Sequence, residues 1–197
     1  TITGTPGSAG AKTVIVVAAS APTLYYYCSV HSGMGGQANT NATKGSSNFA
    51  GTIKSTVSAN PSTGFSIVTY TGTGSNATIG HGLGVAPKMI IAKSRSYGST
   101  YWLVGHDTIG WTKGLYLNAT SAVSSAYTPY WNNTAPDSDK FTLGTWTDAN
   151  GSGHTNVAYC FADVAGYQKI DSYTGNGSTT GPTITTGFRP RLVMAKC

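Results

Sequence analysis

The chain has 197 residues, of which 39% are hydrophobic and 11% aromatic but only 9% charged, where an average soluble protein carries roughly a quarter. So much apolar material excludes a disordered chain, and the absence of Glu excludes the Glu–Lys pairs that support exposed helices. The net charge of +6 comes from dispersed Lys and Arg rather than the dense basic stripe that nucleic-acid binding requires. In chain order, residues 1–40 read as two strands, 13–18 and 23–28, joined by Ala19-Ser20-Ala21-Pro22 and followed by a Gly-rich loop at 32–36. Residues 41–64, rich in Asn, Thr, Ser and Gly, read as a linker with a short strand near 52–57. From there the pattern predicts strands at 65–70, 88–93, 101–104, 114–117, 140–143, 156–162 and 192–196, separated by Gly, Asn and Pro. Residues 156–162 are apolar on both faces, which predicts a central strand.

The expected fold is therefore all-β, an antiparallel β-sandwich of jelly-roll or lectin-like type, preceded by a partial β segment. The longest apolar run, Val14 to Ala19, is too short to cross a bilayer, and no signal peptide opens the chain. The expectation is that the sequence starts after processing or is part of something longer. Cys28, Cys160 and Cys197 cannot all pair within one chain, so at least one is free, metal-bound or intermolecular.

The strongest pattern is an internal repeat at an offset of 103. Tyr70-Thr71-Gly72-Thr73-Gly74-Ser75 aligns with Tyr173-Thr174-Gly175-Asn176-Gly177-Ser178. At the same offset, Gly84-Val85-Ala86-Pro87-Lys88-Met89-Ile90-Ile91-Ala92-Lys93 aligns with Gly187-Phe188-Arg189-Pro190-Arg191-Leu192-Val193-Met194-Ala195-Lys196. This is one supersecondary unit used twice: a strand, a polar Gly turn, then a Gly-x-x-Pro entry into a strand with basic ends. The resulting division is a sandwich over 65–168, with 169–197 either the start of a second repeat or a pseudo-symmetric closing hairpin. A strand at 192–196 needs neighbours from further residues or from another chain.

Two resemblances follow. The stretch from Gly64 to Gly74, His81-Gly82-Leu83-Gly84-Val85-Ala86-Pro87-Lys88, Tyr159-Cys160-Phe161-Ala162 and Gly187-Phe188-Arg189-Pro190 together resemble an uncharacterised repeat family of marine bacteriophages, over about residues 60–197. The resemblance implies a virion location, extracellular exposure, and partnership with copies of itself and other virion proteins in a tail fibre or surface component. Attachment to host-surface polysaccharide is part of the same expectation. Separately, Tyr25-Tyr26-Tyr27-Cys28-Ser29-Val30-His31-Ser32-Gly33-Met34-Gly35-Gly36 resembles the last strand and ligand loop of a cupredoxin. That likeness implies a copper site formed by Cys28, His31 and Met34, since thiolate, imidazole and thioether from one tight loop suit copper. The family's first His has no counterpart before Cys28, which leaves the centre incomplete.

Other constellations point away from catalysis. Asp137 and Asp139 fall in a Pro-Asp-Ser-Asp-Lys turn, and His106-Asp107 has no nucleophile motif beside it. Asp148-Ala149-Asn150-Gly151-Ser152-Gly153 opens like a calcium loop, but Tyr159 stands where the bidentate Glu belongs, so a β-turn is expected. Trp102, Trp111, Trp131 and Trp146, with Tyr127 and Tyr130, are candidates for a sugar-stacking platform or for the core. Trp102, Trp111, Trp131 and Tyr130 carry the glycan-binding expectation. The function expected is a non-catalytic, self-assembling structural component of a virion surface, with glycan or copper binding as the alternative.

Overall fold

A computed structural model describes residues 45–196 and, before them, Ile2–Thr3, Lys12–Thr13, Leu24–Tyr27 and Gly35–Ala38. The chain divides into two compact units, residues 1–46 and 47–197. In the first, β1 (Ile2–Thr3) pairs with β2 (Lys12–Thr13), and β3 (Leu24–Tyr27) pairs with β4 (Gly35–Ala38), both antiparallel. The strand β4 occupies part of the sequence expected to be a Gly-rich loop. Gly36 lies opposite Tyr26, whose ring fills the space that a side chain at 36 would need.

The second unit is built on an antiparallel sheet of seven strands. These are β5 (Ser46–Asn48), β6 (Ser55–Asn60), β7 (Phe65–Thr71), β9 (Met89–Ser94), β10 (Leu103–His106), β11 (Leu115–Tyr116) and β13 (Thr155–Phe161). They run in the order β11-β10-β9-β13-β7-β6-β5. As its two-sided apolar pattern predicts, β13 is central, with β7 on one side and β9 on the other. The fold is all-β among the described residues apart from one helical turn, Thr147–Asn150, and two 3-10 turns. Residues 41–64, read as a linker with a short strand near 52–57, supply β5 and β6, and in β6 Ser55 and Val57 alternate inward where polar residues alternate outward.

The inner face of this sheet carries Val68, Tyr70, Ala158, Cys160, Ile90, Ala92 and Leu103, all buried. Over it lies a second ladder, β8 (Ala77–Gly80) with β12 (Lys140–Leu143), which contributes Ala77, Ile79, Phe141 and Leu143 to the same core. The sequence reading missed β8, whose four residues carry Thr and Gly and little periodicity. Two inner-face serines tie the layers: Ser66 Oγ donates to the His81 carbonyl at 2.6 Å, and Ser55 Oγ to the Gly80 carbonyl at 3.0 Å. Buried hydroxyls need such partners, since leaving one unpaired costs about 1–3 kcal/mol.

The expected strand at 192–196 does not form. Leu192, Val193 and Met194 are 85%, 76% and 53% exposed, while their repeat counterparts Met89, Ile90 and Ile91 lie in β9 between β13 and β10.

Candidate functional site

Strand alternation sends every second residue of the sheet to its outer face. There, cross-strand pairing sets four rows. Thr71 opposite Thr155 makes the centre of the first row. Extending the neighbouring registers by one residue flanks this pair with Lys54 and Arg95, and the Arg95 amide donates to the Thr155 carbonyl at 2.8 Å. The next row is Thr56, Thr69, Val157 and Lys93. Below it run Ser58, Ile67, Tyr159, Ile91, Val104 and Leu115, and then Asn60, Phe65, Phe161, Met89 and His106. The outer face thus changes from cationic and hydroxyl-rich at one end to apolar and aromatic at the other.

A shallow hollow of about 240 Å³ opens at the polar end, bordered by Lys54, Thr56, Thr69, Tyr70, Thr71, Arg95, Thr155 and Asn156. Among the described residues, no carboxylate pairs with Lys54 or Arg95; the ion pairs involve Lys88, Lys140 and Lys169 with Asp163, Asp137 and Asp171. Lys54 instead stands over the exposed Phe49 ring, 5.5 Å from its centre. Lys93 turns aside to donate to the carbonyl and hydroxyl of Thr100.

Further along the face, toward its apolar end, three rings lie nearly parallel. Trp102 and Tyr159 are 6.3 Å apart at 13°, and Tyr159 and Phe65 are 6.5 Å apart at 8°. Both centroid distances exceed the spacing of about 3.5–4 Å that rings stacked squarely face to face would have. Each ring therefore leaves face area that its neighbour does not cover. All three are half-buried.

The sequence-predicted glycan residues do not meet on this face. Trp111, Trp131 and Tyr130 are core, 7%, 0% and 5% exposed. The cause is Gly105 on the inner face of β10: a side chain there would collide with both indoles, and its absence admits the Trp111–Trp131 edge-to-face pair at 5.4 Å. Tyr130 shares a 2.6 Å hydrogen bond between hydroxyls with Tyr116 and packs against Tyr127 and Trp146. Only Trp102 of the predicted set belongs to the outer rings. Cys28, His31 and Met34 lie outside the described residues, within which no cluster of three metal-ligating side chains occurs.

Several other titratable groups have structural partners. His81 is buried; its Nε2 donates to the Asp137 carbonyl at 3.0 Å and its Nδ1 accepts from the Leu83 amide at 3.2 Å. Burial lowers its pKa, and a second ring proton would face an N–H donor. The Asp137 carboxylate is pulled down to about 2 by hydrogen bonds from the Lys140 ammonium and from the amides of Asp139 and Lys140. His106 caps the 3-10 turn at Asp107–Ile109 by accepting from the Thr108 amide. Burial pushes the Cys160 thiol far up, which suppresses the thiolate needed for reactivity. Asn150, in the stretch resembling a calcium loop, is wholly buried: it donates to the carbonyls of Ser75 and Gly144 at 2.7 Å each and accepts from the Thr73 amide at 3.0 Å.

Fold and site together define an all-β module whose outer sheet face runs from an exposed row of Lys54, Thr71, Thr155 and Arg95 to rows in which Val157, Ile91 and Val104 are buried. Residues 38–197 match the family described as Domain of unknown function (DUF7483), and the chain belongs to that family. No curated protein and no solved structure matches it.

Proposed function

We propose that this chain is a non-catalytic structural module that assembles with copies of itself, as a component of a virion surface or tail fibre. The observation that carries the reading is segment 191–196, exposed over residues 191–195. It repeats the sequence that this chain buries as β9, with Pro190 matching Pro87 and Lys196 matching Lys93. A strand-forming segment with three adjacent apolar side chains in water favours pairing with a sheet edge. The seven-stranded sheet ends on β5 and on the two-residue β11, and strand addition there satisfies backbone groups on both partners. The non-catalytic part is supported by the structural employment of His81, His106, Asp137 and Cys160. The virion setting rests on the resemblance to phage repeat proteins.

Sedimentation velocity of the intact chain tests the assembly. The chain is expected to self-associate, and the triple change Leu192→Ser, Val193→Ser, Met194→Ser to leave a monomer with an unchanged melting temperature. A wild-type chain that stays monomeric at its highest soluble concentration overturns the reading.

A further inference from the structure

We propose that the outer face of the seven-stranded sheet is a binding site for an acidic oligosaccharide, with Lys54 and Arg95 taking its negative groups and Trp102 and Tyr159 stacking on its sugar rings. This site is separate from segment 191–196 and does not depend on self-assembly.

Three features converge on that ligand. First, Lys54 and Arg95 stand at the two ends of one cross-strand row with no carboxylate partner among the described residues, although three lysines elsewhere in the chain have one. With strands about 4.8 Å apart, the four-strand row spans roughly 14 Å, the reach of a short oligomer rather than of a single ion. Second, the floor between the cations is Thr71 and Thr155, with Thr56 and Thr69 beside them. A hydroxyl both donates and accepts, which matches the hydroxyls of a sugar and adapts to either hydrogen-bond polarity. Third, the nearly parallel rings of Trp102 and Tyr159 overlap so little that each keeps face area for the apolar C–H side of a pyranose.

Single-stranded nucleic acid also stacks on rings and seeks cations, but it presents one phosphate per nucleotide, and affinity there scales with the number of phosphates neutralised. Two cations separated by a row of threonines fit a ligand of sparser charge and many hydroxyls. A neutral glycan, conversely, leaves Lys54 and Arg95 unused. The carboxylate of a uronic acid and a sulfate ester offer the same chemistry to these two groups.

Isothermal titration of the intact chain with a galacturonic acid hexamer, its methyl ester and a chondroitin sulfate hexamer tests the proposal. At least one acidic hexamer is expected to bind, with affinity falling as salt rises. The methyl ester, which keeps the sugar and removes the charge, is expected to bind at least 10-fold more weakly than the galacturonate if the carboxylate is the preferred group. Lys54→Ala with Arg95→Ala is expected to cut affinity for the bound acidic hexamer by about 10–100-fold, the scale of two partly exposed charge contacts. These side chains are exposed, so the melting temperature should hold. Trp102→Ala should cut affinity by about 10-fold. The monomeric variant with serines at 192, 193 and 194 should bind as the parent does, which separates failure of this site from failure of assembly. The proposal is overturned if neither acidic hexamer binds, if the double variant binds them undiminished, or if an oligothymidylate of equal charge binds more tightly than both.

Discussion

The two copies of the internal repeat differ most where they depend on the rest of the molecule. In both, the third residue of the turn closes a local bond: Thr73 Oγ1 accepts from the Ser75 amide at 3.3 Å, and Asn176 Oδ1 from the Ser178 amide at 3.0 Å. In both, the paired glycines take the left-handed conformation, with φ of 71° at Gly74 and 69° at Gly177, and 73° at Gly84 and 82° at Gly187. Beyond that the copies part. The first turn is held by Asn150, and the later strand of the repeat, β9, lies between β13 and β10. In the second, residues 171–180 are exposed and the apolar segment 192–194 faces water. Local side-chain chemistry shapes a turn by itself; a strand requires neighbours to satisfy its backbone and cover its face.

The sharpest way to break this contrast is to truncate matched positions. Ile90→Ala is expected to cost about 4 kcal/mol, as for other large-to-small changes at fully buried sites. The matched Val193→Ala should change monomer stability by less than about 0.5 kcal/mol while weakening self-association. Chemical denaturation of both variants checks the pair; equal losses would show that the second copy is also folded into a core.

Asn150→Ala comes next, with an expected loss of about 3 kcal/mol, because it orphans the Thr73 amide and the buried Gly144 carbonyl. Amide exchange at 73–75 should accelerate and exchange at 176–178 should not. Gly72→Ala is expected to cost about 2 kcal/mol by overpacking, since a Cβ would sit 2.4 Å from the Gly151 carbonyl oxygen. At Gly175 a Cβ meets nothing within 4 Å, so Gly175→Ala should leave the melting temperature unchanged.

The smallest effect concerns pH. The position matching His81 in the second copy is Ile184, so only the first copy carries this titration. The folded pKa of His81 lies below its ordinary value of 6.5, so the unfolded chain takes up the proton first. Its contribution is complete above that value and is lost as pH falls through it toward the folded pKa. Stability is expected to fall between pH 7 and pH 5, and this fall should vanish in His81→Gln. The Asp137 contribution is complete above 3.8 and lost as pH falls toward about 2, so the two steps separate in an acid melting series.

Most strands were legible because they alternate. Phe65–Thr71, Lys140–Leu143 and the two-sided pattern of Thr155–Phe161 announce themselves. The strand Ala77–Gly80 did not, because its place comes from pairing with β12 and capping by Ser55 and Ser66. The aromatic site was half legible. Tryptophans flag a stacking surface or a core with equal force, and only Gly105 on β10 decides that Trp111 and Trp131 turn inward. Tyr159, Phe65, Lys54 and Arg95 carried a faint signal, in that Thr56, Thr69, Thr71 and Thr155 share the same alternation.

What the sequence alone determined is the all-β class, the central place of the strand read at 156–162 and the two polar Gly turns, because composition, alternation and turn chemistry are properties of neighbouring residues. Only the tertiary structure decided that one copy of the repeat becomes a buried strand and the other stays in water, and that the tryptophans divide between core and outer face. Those outcomes depend on which groups from distant parts of the chain arrive to pair and to cover, and a strand's stability resides in those partners as much as in its own residues.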